Sequence, residues 1–502
     1  MNFLQLLDGA EYLAQQGNPP IAGLDYDSRR VKPGWCFVAM RGEKTDGNLY
    51  IDAALQAGAV AIVSDSLPPR TGVAWAQVPH GRRALARLSA NFYRHPAERL
   101  FITGITGTNG KTTTAYILHA MLGSGGRKAA LLGTVEYRIG EEIQPAPRTT
   151  PEALELNQLF SRAVAASCTE AVMEVSSHAL EQQRVFGIPF DVALFTNLSR
   201  EHLDYHGTME EYFASKTILF KGSGTEPPHA AIINIEDEYG QRLLKLCKKI
   251  HEVITYGIGG GDFHAKDLTV EKSGTKFRLV TPRGEYPIWS PLLGRVNAYN
   301  LIAASAAAYA RNVEPGAIAE AADRLARVAG RFERVDLGQP FSVIVDYAHT
   351  DDALRNLTAI ARDLLRQRGG PGRVLTVFGC GGDRDRSKRP LMGEAAGVGS
   401  DLVILTSDNP RSENPLDIIN DALPGLQRSG ARYTTEPDRR KAIGLAIHEA
   451  QAGDIVLIAG KGHEKVQVTN SGPVPFDDLE VARHALQVEG YGAAKPAPVT
   501  AS

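Results

Sequence analysis

The stretch FITGITGTNGKTTT, from Phe101 to Thr114, decides the fold of this 502-residue chain. The apolar run at 100–102 predicts a buried strand, and the spacing of later apolar residues predicts a helix over 113–122. A glycine-rich turn lies between them. A strand, a glycine turn and a helix in this order form a phosphate site, because backbone N–H groups and the helix N-terminus attract anions. Lys111 is then expected to reach the terminal phosphates of a nucleotide, and the Thr112 hydroxyl to hold Mg²⁺.

The spacing of this loop differs from the common phosphate-binding pattern G-x-x-x-x-G-K-[ST]. Ile105 stands where that pattern has its first glycine, and the glycines fall at positions 104, 107 and 110 instead. The variant spacing argues against small GTPases and most motor ATPases. A tight glycine turn beside a surface lysine is the alternative interpretation, which the complete strand–loop–helix context disfavours.

Composition and charge exclude several classes of protein. The formal net charge of −2 gives no electrostatic reason to expect binding to nucleic acid or to an anionic membrane. The four cysteines are dispersed, which disfavours a zinc site or a disulfide framework and suits a reducing cytoplasm. No apolar run approaches the roughly 18 residues of a membrane-spanning helix, and residues 1–16 do not resemble a signal peptide. We therefore expect a cytoplasmic protein without membrane insertion.

The alternation of predicted strands and helices indicates an α/β protein of three domains. We predict a small α/β N-terminal domain over 1–98 and a central P-loop-type ATPase domain over 99–334. A C-terminal domain over 335–490 is predicted to be a doubly wound, Rossmann-like sheet. Residues 257–290 read as a β-rich insertion with hairpin turns. The tail over 491–502, which has few large apolar residues, is predicted to be disordered.

Polar side chains follow two predicted strands of the central domain. Glu174 lies at the end of the apolar run 171–175, and His202 follows the run 192–198. Ligands of α/β sheets lie beyond the carboxyl ends of the strands, so both residues are expected near the phosphate loop. A carboxylate there can hold Mg²⁺. A local ion pair for Glu174 and a structural role for His202 remain open alternatives.

Three further residues are ambiguous from the sequence alone. Ser28 lies in a run of turn residues. Thr150 precedes a proline and can cap the helix predicted from Glu152 onward. Lys216 lies on a helix predicted over 209–220, where a lysine is usually solvated. Each residue therefore has an ordinary structural interpretation beside a functional one.

The C-terminal domain repeats the pattern of apolar strands that run into glycine or charged residues. Such runs occur at 343–346, 374–380, 401–408 and 454–461. In a parallel sheet the carboxyl ends of these strands meet at one edge, so their polar residues are expected to converge on one crevice.

These segments together resemble the UDP-N-acetylmuramoyl-tripeptide synthetases, the MurE ligases of the Mur ligase superfamily, along nearly the whole chain. The family joins an amino acid to a nucleotide-linked muramoyl dipeptide with ATP and Mg²⁺, through an acyl phosphate that the incoming amine attacks. The motifs that carry the resemblance are Gly107 to Thr113, Asp27-Ser28-Arg29, Thr149-Thr150-Pro151, Glu174 to His178, Asn197 with Glu201 to Asp204, Lys216, Asp346 to His349, Gly381 to Asp385, Asp408 to Arg411, and Gly460 to Glu464.

The resemblance implies a role for each residue that matches a family motif. The implied ATP contacts are Gly107, Thr108, Asn109, Gly110, Lys111, Thr112, Thr113, Asn297, Arg331 and Asp346. The implied Mg²⁺ ligands are Thr112, Glu174, His202 and Lys216, and the implied catalytic residues are Lys111, Lys216, His202 and Glu174. Contacts to the UDP-MurNAc-L-Ala-D-Glu substrate are implied for Ser28, Thr149, Thr150, Ser176, Gln182 and Arg184. In the family the lysine at position 216 carries a CO₂-derived carbamate, which requires a neutral amine.

The stretch Asp408-Asn409-Pro410-Arg411 resembles the family's signature for meso-diaminopimelate. This amino acid carries a second carboxylate that an arginine can bind through two hydrogen bonds, whereas lysine has no group there. The other implied diaminopimelate contacts are Arg384, Gly460 and Glu464. The resemblance thus implies an amide ligase of peptidoglycan synthesis, which we expect to be monomeric.

Two positions depart from the family pattern. Asp351 replaces a proline, which is expected to loosen a turn, and Asn48 replaces a histidine near the implied uridine contact. The alternatives are a folylpolyglutamate synthetase of the same superfamily, a regulatory P-loop ATPase or binding module, and a nonenzymatic scaffold. Ser28 and Arg411 argue against the first, and a regulatory ATPase would not need Lys216, Arg184 or Arg411. The scaffold has the least support, since polar groups recur at strand ends.

Overall fold

Three sheets, one after another along the chain, organise the protein. The computed structural model describes residues 1–42, 45–66, 72–271, 273–325 and 328–492. The α/β architecture predicted from the sequence is confirmed, with helices covering mostly parallel sheets. The predicted disordered tail lies outside the described residues from position 493 onward.

The first sheet has five strands, and it is parallel except at one edge. The elements are α1 (Phe3–Leu6), β1 (Ala14–Gln16), β2 (Gly23–Asp25), β3 (Trp35–Ala39), α2 (Ile51–Gln56), β4 (Ala61–Ser64), β5 (Ala74–Gln77) and α3 (Gly81–Phe92). The strand order is β1-β5-β4-β3-β2, and only β1 runs antiparallel to its neighbour. Helix α3 packs its buried face on this sheet.

The second sheet has eight strands and carries the phosphate loop at its centre. Its elements are β6 (Phe101–Thr106), α4 (Lys111–Ser124), β7 (Ala129–Leu132), β8 (Glu136–Ile139), β9 (Glu142–Pro145), α5 (Ala153–Ala165), β10 (Glu170–Glu174), α6 (Ser177–Glu181), β11 (Val192–Phe195), α7 (Leu203–His206), α8 (Met209–Lys221), β12 (Ala230–Asn234), α9 (Glu238–Leu246) and β13 (Glu252–Tyr256). The order is β13-β12-β11-β6-β10-β7-β8-β9, so β6 lies between β10 and β11. All three run parallel, and their carboxyl ends therefore meet.

A small antiparallel sheet and two helices complete the middle part of the chain. They are β14 (His264–Glu271), β15 (Gly274–Thr281), β16 (Gly284–Ser290), α10 (Arg295–Ala310) and α11 (Pro315–Asp323). The β-rich insertion predicted over 257–290 is thereby confirmed. The Ala-rich helix α10 is mostly buried, because small side chains allow it to pack closely on α4.

The third sheet has six strands with helices on both faces. Its elements are β17 (Glu333–Val335), β18 (Ser342–Asp346), α12 (Asp351–Arg368), β19 (Val374–Cys380), α13 (Lys388–Gly399), β20 (Leu402–Ser407), α14 (Pro415–Ser429), β21 (Arg432–Thr435), α15 (Arg439–Glu449), β22 (Ile455–Ala459), the hairpin β23 (Val466–Thr469) and β24 (Gly472–Pro475), and α16 (Asp478–Val488). The order β17-β18-β22-β19-β20-β21 is parallel apart from β17. Two apolar clusters, one on each face, confirm the doubly wound arrangement. In the part of the chain that the structure covers, no helix is long and apolar enough to cross a membrane.

A fully buried ion pair joins α15 and α16 to the end of β22. Arg439 donates to the Asp478 carboxylate at 2.8 and 2.7 Å and to Ala459 O at 3.0 Å. Neither charged side chain reaches solvent. Asp478→Asn is expected to lower the free energy of unfolding of this unit by about 3 kcal/mol, because it leaves a buried guanidinium without its counter-charge. Calorimetric unfolding measures this.

The matched control is Glu480→Gln on the same helix. Glu480 pairs with Arg483 at the surface, where an ion pair contributes little. An Asp478→Asn protein that melts like the Glu480→Gln protein would show that the buried pair does not stabilise the unit.

Candidate active site

The glycine loop between β6 and α4 is shaped by close contacts with its neighbours. Gly107 has a φ of +147°, and a Cβ there would lie 1.9 Å from Thr196 Oγ1. Gly110 has a φ of +85°, and a Cβ there would lie 2.5 Å from Asn300 Oδ1. Both positions therefore require glycine. Helix α4 follows Gly110 directly and begins at Lys111.

The predicted start of this helix at residue 113 was two residues too late. Lys111 and Thr112 lie in the first helical turn, not in the loop. The N-terminal N–H groups and the dipole of α4 are therefore directed toward the loop, which favours an anion there.

Two lysines, Lys216 buried and Lys111 partly buried, converge on one carbonyl of this loop. Lys111 Nζ donates to Gly107 O at 2.9 Å and to Thr108 O at 2.8 Å. Lys216 Nζ donates to the same Gly107 O at 2.9 Å and lies 4.5 Å from the centre of the Tyr212 ring. Burial, together with the nearby cation of Lys111, lowers the pKa of Lys216 well below the usual lysine value. Burial also lowers the pKa of Lys111.

The interpretation of Lys216 as a solvated helix lysine is wrong. Helix α8 packs against α6, and this contact places the Lys216 side chain inside the protein with only 2% of its surface exposed. A cation in such a place is unfavourable, so the neutral amine is favoured.

Glu174 is the centre of a hydrogen-bond network at the end of β10. Its Oε2 accepts from Thr112 Oγ1 at 3.0 Å and from Thr134 Oγ1 at 3.0 Å. Its Oε1 accepts from Thr134 N at 2.8 Å, and Thr134 Oγ1 lies 3.1 Å from Thr149 Oγ1. The prediction that Glu174 lies beside the phosphate loop is confirmed. Thr134, which links Glu174 to Thr149, was missed because a threonine after a strand carries no distinctive sequence signal.

His202 precedes α7 with a left-handed backbone, at a φ of 56°. Its ring centre lies 4.7 Å from that of His178, and its Nε2 lies 3.6 Å from Glu201 Oε2. Partial burial lowers the pKa of His202 to about 3. The ring is therefore neutral near pH 7 and has a nitrogen lone pair available for a metal or a substrate.

The predicted Mg²⁺ ligands fit the ion only in part. Thr112 and Glu174 bring hard oxygen atoms together, as Mg²⁺ prefers. Lys216 as an amine is not a ligand for Mg²⁺, and a carbamate on it would supply oxygen atoms. Among the described residues no group of three or more His, Cys, Asp or Glu side chains is placed to hold a metal. Mg²⁺ usually keeps several waters and binds substrate phosphates, so a partial protein set suits it.

The residues predicted to hold the muramoyl dipeptide lie together beside Glu174. Thr150 Oγ1 donates to Glu174 O at 2.8 Å and accepts from Ser176 N at 3.1 Å. Arg184 Nη1 donates to Thr150 O at 3.1 Å, and Arg184 Nη2 donates to Gln182 Oε1 at 2.6 Å. Thr150 does not cap α5, whose N-cap is Glu152.

A cavity of about 390 Å³ lies between the phosphate loop and the third sheet. Asn109 and Asn297 line one part of it, and Arg331 and Asp346 line another, so the structure brings together the predicted nucleotide contacts. Arg331 Nη2 donates to Thr112 Oγ1 at 3.2 Å, while its buried Nε has no hydrogen-bond partner among the described residues. The size of the cavity suits a nucleotide base and sugar.

Two contacts join the second sheet to the start of α12 and the residues before it, one from the phosphate loop and one from Glu201, which follows β11. Asn109 Nδ2 donates to Asp352 Oδ2 at 2.8 Å, and His349 Nε2 lies 3.1 Å from Glu201 Oε1. The expected loosening at Asp351 is not observed. Thr350 caps α12, and the acidic residue after it suits the positive end of the helix dipole.

A second cavity, of about 1090 Å³, lies at the edge of the first sheet. Ser28 lines it from a turn, so the turn and the binding interpretation of this residue are compatible. Tyr26, Arg30 and Arg148 also line it, and they present an aromatic surface and two guanidinium groups, which pair with Glu155 and Glu152 respectively. Asn48, which departs from the family pattern, forms hydrogen bonds with Asp46 in its own loop and with Ser64 and Asp65.

Buried polar residues meet at the carboxyl edge of the third sheet. Lys461 Nζ donates to Asn409 Oδ1 and to Glu464 Oε2, both at 3.0 Å, and lies 3.7 Å from Asp408 Oδ1. A Cβ at Gly460 would lie 2.7 Å from Asp408 Oδ2. Lys461 was missed as a site residue because the sequence does not show that this lysine is buried. The charges of this cluster suit the ammonium and carboxylate groups of an amino acid.

Two arginines lie on neighbouring loops beside this cluster. Arg411 Nη1 donates to Gly382 O at 2.6 Å, and Arg384 Nη1 donates to Asp383 O at 3.1 Å. A Cβ at Gly382 would lie 1.9 Å from Pro410 O, so the two loops touch. Burial, together with the charge of Arg384, lowers the pKa of Arg411. Two guanidinium groups held together favour an anion between them.

Comparisons with known proteins agree with this geometry. Residues 20–93 match the family model described as "Mur ligase family, catalytic domain", 105–308 match "Mur ligase middle domain", and 330–462 match "Mur ligase, glutamate ligase domain". The chain is 50% identical over 473 residues to the UDP-N-acetylmuramoyl-L-alanyl-D-glutamate--2,6-diaminopimelate ligase of Solibacter usitatus, covering 94% of each chain. It is 45% identical to the ligase of the same name from Geobacillus thermodenitrificans, covering 94% of this chain and 96% of that one.

A solved structure supports the same assignment. A UDP-N-acetylmuramoyl-L-alanyl-D-glutamate--2,6-diaminopimelate ligase structure aligns with 98% of this chain and 99% of its own, with a TM-score of 0.67 and 34% identity. The chain therefore belongs to the Mur ligase family.

Proposed function

We propose that this protein is an ATP-dependent amide ligase that adds meso-diaminopimelate to UDP-N-acetylmuramoyl-L-alanyl-D-glutamate in peptidoglycan synthesis. In this proposal residues 1–98 bind the UDP end of the acceptor, residues 99–334 bind ATP, and residues 335–490 bind the amino acid. The reaction needs only these small-molecule substrates, so it requires neither a nucleic acid nor a second protein chain.

One observation carries the proposal. The chain of hydrogen bonds from Thr112 through Glu174 and Thr134 to Thr149 joins the first turn of the phosphate-loop helix to the proposed acceptor site. A ligase of this kind must hold the terminal phosphate of ATP in line with the acceptor carboxylate. This network supports such an alignment because it ties both substrates to one rigid strand end.

We assign the base and sugar of ATP to the cavity of about 390 Å³ and its phosphates to the glycine loop. Lys111 lies at this loop and balances the negative charge that spreads over the transferred phosphoryl group. Thr112, Glu174 and His202, with a carbamate on Lys216, would hold Mg²⁺, which when bound supplies further positive charge at the phosphates.

The acceptor carboxylate attacks the terminal phosphorus of ATP, and ADP leaves. Thr150, Ser176 and Arg184 hold the dipeptide so that this carboxylate points toward the loop. The amine of diaminopimelate, after losing a proton to solvent, attacks the carbonyl carbon of the acyl phosphate. Inorganic phosphate leaves with the electrons of the broken bond, and an amide remains.

We assign the selection of the amino acid to the loops at the carboxyl edge of the third sheet. Glu464 and Asp408 suit ammonium groups, and Arg384 with Arg411 suits the distal carboxylate of diaminopimelate. Lysine lacks that carboxylate and would leave two arginines close together without an anion.

The proposal includes a carbamate on Lys216. The neutral amine that burial favours can add to CO₂, forming an N–C bond and releasing one proton. The product is an anion with two oxygen ligands, placed where a lysine cation would be unfavourable.

The carbamate predicts a lysine-specific signal. Enzyme equilibrated with ¹³C-labelled bicarbonate is expected to show a carbamate resonance in ¹³C NMR that Lys216→Ala lacks. Lys221→Ala, which changes an exposed lysine of the same helix, should keep the signal. A wild-type enzyme that is fully active in CO₂-depleted buffer and shows no such resonance would refute the modification.

Phosphate release tests the proposed reaction directly. ATP, Mg²⁺ and the UDP-muramoyl dipeptide are combined with either meso-diaminopimelate or L-lysine. Release that depends on diaminopimelate is the expected result. Release with lysine alone would overturn the specificity, and release that ignores both amino acids would favour a regulatory ATPase.

A further inference from the structure

Two adjoining loops carry the arginines assigned to the distal carboxylate. One loop spans 381–384 and carries Arg384, and the other spans 410–413 and carries Arg411. Each guanidinium donates to a backbone carbonyl of the first loop, at Asp383 O and Gly382 O respectively. Since both arginines depend on the path of that backbone, their separation is set by whatever fixes one loop against the other.

A buried arginine behind the loops provides this link. Arg389 has no exposed side-chain surface, and its guanidinium donates to both oxygens of Glu413, at 2.7 and 2.9 Å. It also donates to Gly381 O at 3.2 Å. Glu413 Oε1 in turn accepts from Asp383 N at 2.5 Å. Glu413 thus ties its own loop to the backbone of the other, while Arg389 fixes Glu413.

We infer that Glu413 is a positioning residue for amino-acid selection, which holds Arg384 and Arg411 at the spacing that fits the distal carboxylate of diaminopimelate. The inference rests on the proposed function. Charge-assisted hydrogen bonds are stronger than neutral ones and are directional, so the pair Arg389–Glu413 can fix the loops more firmly than backbone contacts alone. A binding site needs such support, since a small displacement of its groups lowers affinity.

A second pair of hydrogen bonds also holds the two loops together. Ser412 Oγ donates to Asp383 Oδ1 at 2.6 Å, and Ser412 N donates to Asp383 Oδ2 at 3.2 Å. Asp383 has a left-handed backbone, with a φ of 51°, which these bonds help to hold. Because Ser412 and Asp383 are at the surface, Ser412→Ala should weaken the link without endangering the fold.

The chain offers a matched control on the same arginine. Asp421 accepts from Arg389 at 2.8 Å, as Glu413 does, and it also pairs with Arg386. It lies on α14, outside both loops. Asp421→Asn therefore removes a charge from the same buried guanidinium but leaves the bonds between the loops in place.

The experiment compares Glu413→Gln with Asp421→Asn in the phosphate-release assay. Glu413→Gln is expected to raise the KM for meso-diaminopimelate about tenfold or more, the effect of weakening a charged hydrogen bond. Its KM for ATP and for the UDP-dipeptide should stay within about twofold of wild type, since Glu413 lies apart from both sites. Asp421→Asn should change none of the three, and Ser412→Ala should give a smaller rise for diaminopimelate alone.

Two outcomes would overturn the inference. One is an equal diaminopimelate KM for Glu413→Gln and Asp421→Asn, and the other is a parallel rise in all three KM values. If Glu413→Gln does not fold, Ser412→Ala decides, and an unchanged diaminopimelate KM in that variant refutes the inference. A wild-type enzyme that does not use diaminopimelate would instead refute the proposed function, so the two failures are distinguishable.

Discussion

Lys111→Ala is expected to reduce kcat by about 1000-fold or more, because it removes the cation that balances charge on the transferred phosphoryl group. Lys111 lies in the first turn of α4 with its Nζ at the loop carbonyls of Gly107 and Thr108. The neighbouring Lys216 does not supply this charge, because it is assigned to the carbamate. Steady-state phosphate release with saturating substrates measures the loss.

The control for this prediction is Lys221→Ala, which removes an exposed lysine from the same unit. It should retain wild-type kcat. If Lys111→Ala kept more than about a tenth of the activity, the assignment of Lys111 to the phosphates would be wrong. A melting temperature close to wild type for both variants ensures that the comparison concerns chemistry and not folding.

Arg411→Ala is expected to raise the KM for meso-diaminopimelate about 100-fold, while the KM for ATP changes little. Truncating one partner of a partly buried, hydrogen-bonded charge pair costs about 2–5 kcal/mol, and here it leaves the carboxylate of the substrate without its main partner. Arg411 lies on the loop that follows β20 and is half-buried. It is close to Arg384, which lies on the loop that follows β19. The measurement is the pair of KM values in one assay.

Arg411→Lys sharpens this test, since it keeps the charge and loses the planar fork. It should fall between wild type and Arg411→Ala. Arg432→Ala, at an exposed position on β21, serves as the control and should leave both KM values unchanged. Equal rises for diaminopimelate and ATP in Arg411→Ala would contradict the specificity assignment.

The arrangement of the phosphate site could be predicted from the sequence because it is a local pattern. The strand, the glycine turn and the helix at Phe101–Thr114 follow from apolar spacing and from the positions of glycine. Their order alone places backbone N–H groups around an anion. The strand ends at Glu174 and Asp408 were predicted by the same reasoning, since parallel strands bring their carboxyl ends to one edge.

The start of α4 was predicted less well. Propensity favoured a helix from residue 113, but the backbone at Gly110 is already left-handed and the helix begins directly after it. Asn300, which is 190 residues further along the chain, lies so close to Gly110 that only glycine fits at this N-cap. Spacing patterns carry no information about such a contact.

Burial and distant partners were decided by the tertiary structure alone. Lys216 has the sequence surroundings of an exposed lysine, and only the packing of α8 on α6 buries it and lowers its pKa. Thr134 and Asp352 acquire their roles from partners on other strands and loops. A hydrogen bond between residues far apart in the chain leaves no trace in local composition. The sequence by itself thus determined the fold class and the local pattern of the phosphate loop, and the tertiary structure decided which side chains share the site, because burial and long-range contacts exist only once the sheets have packed.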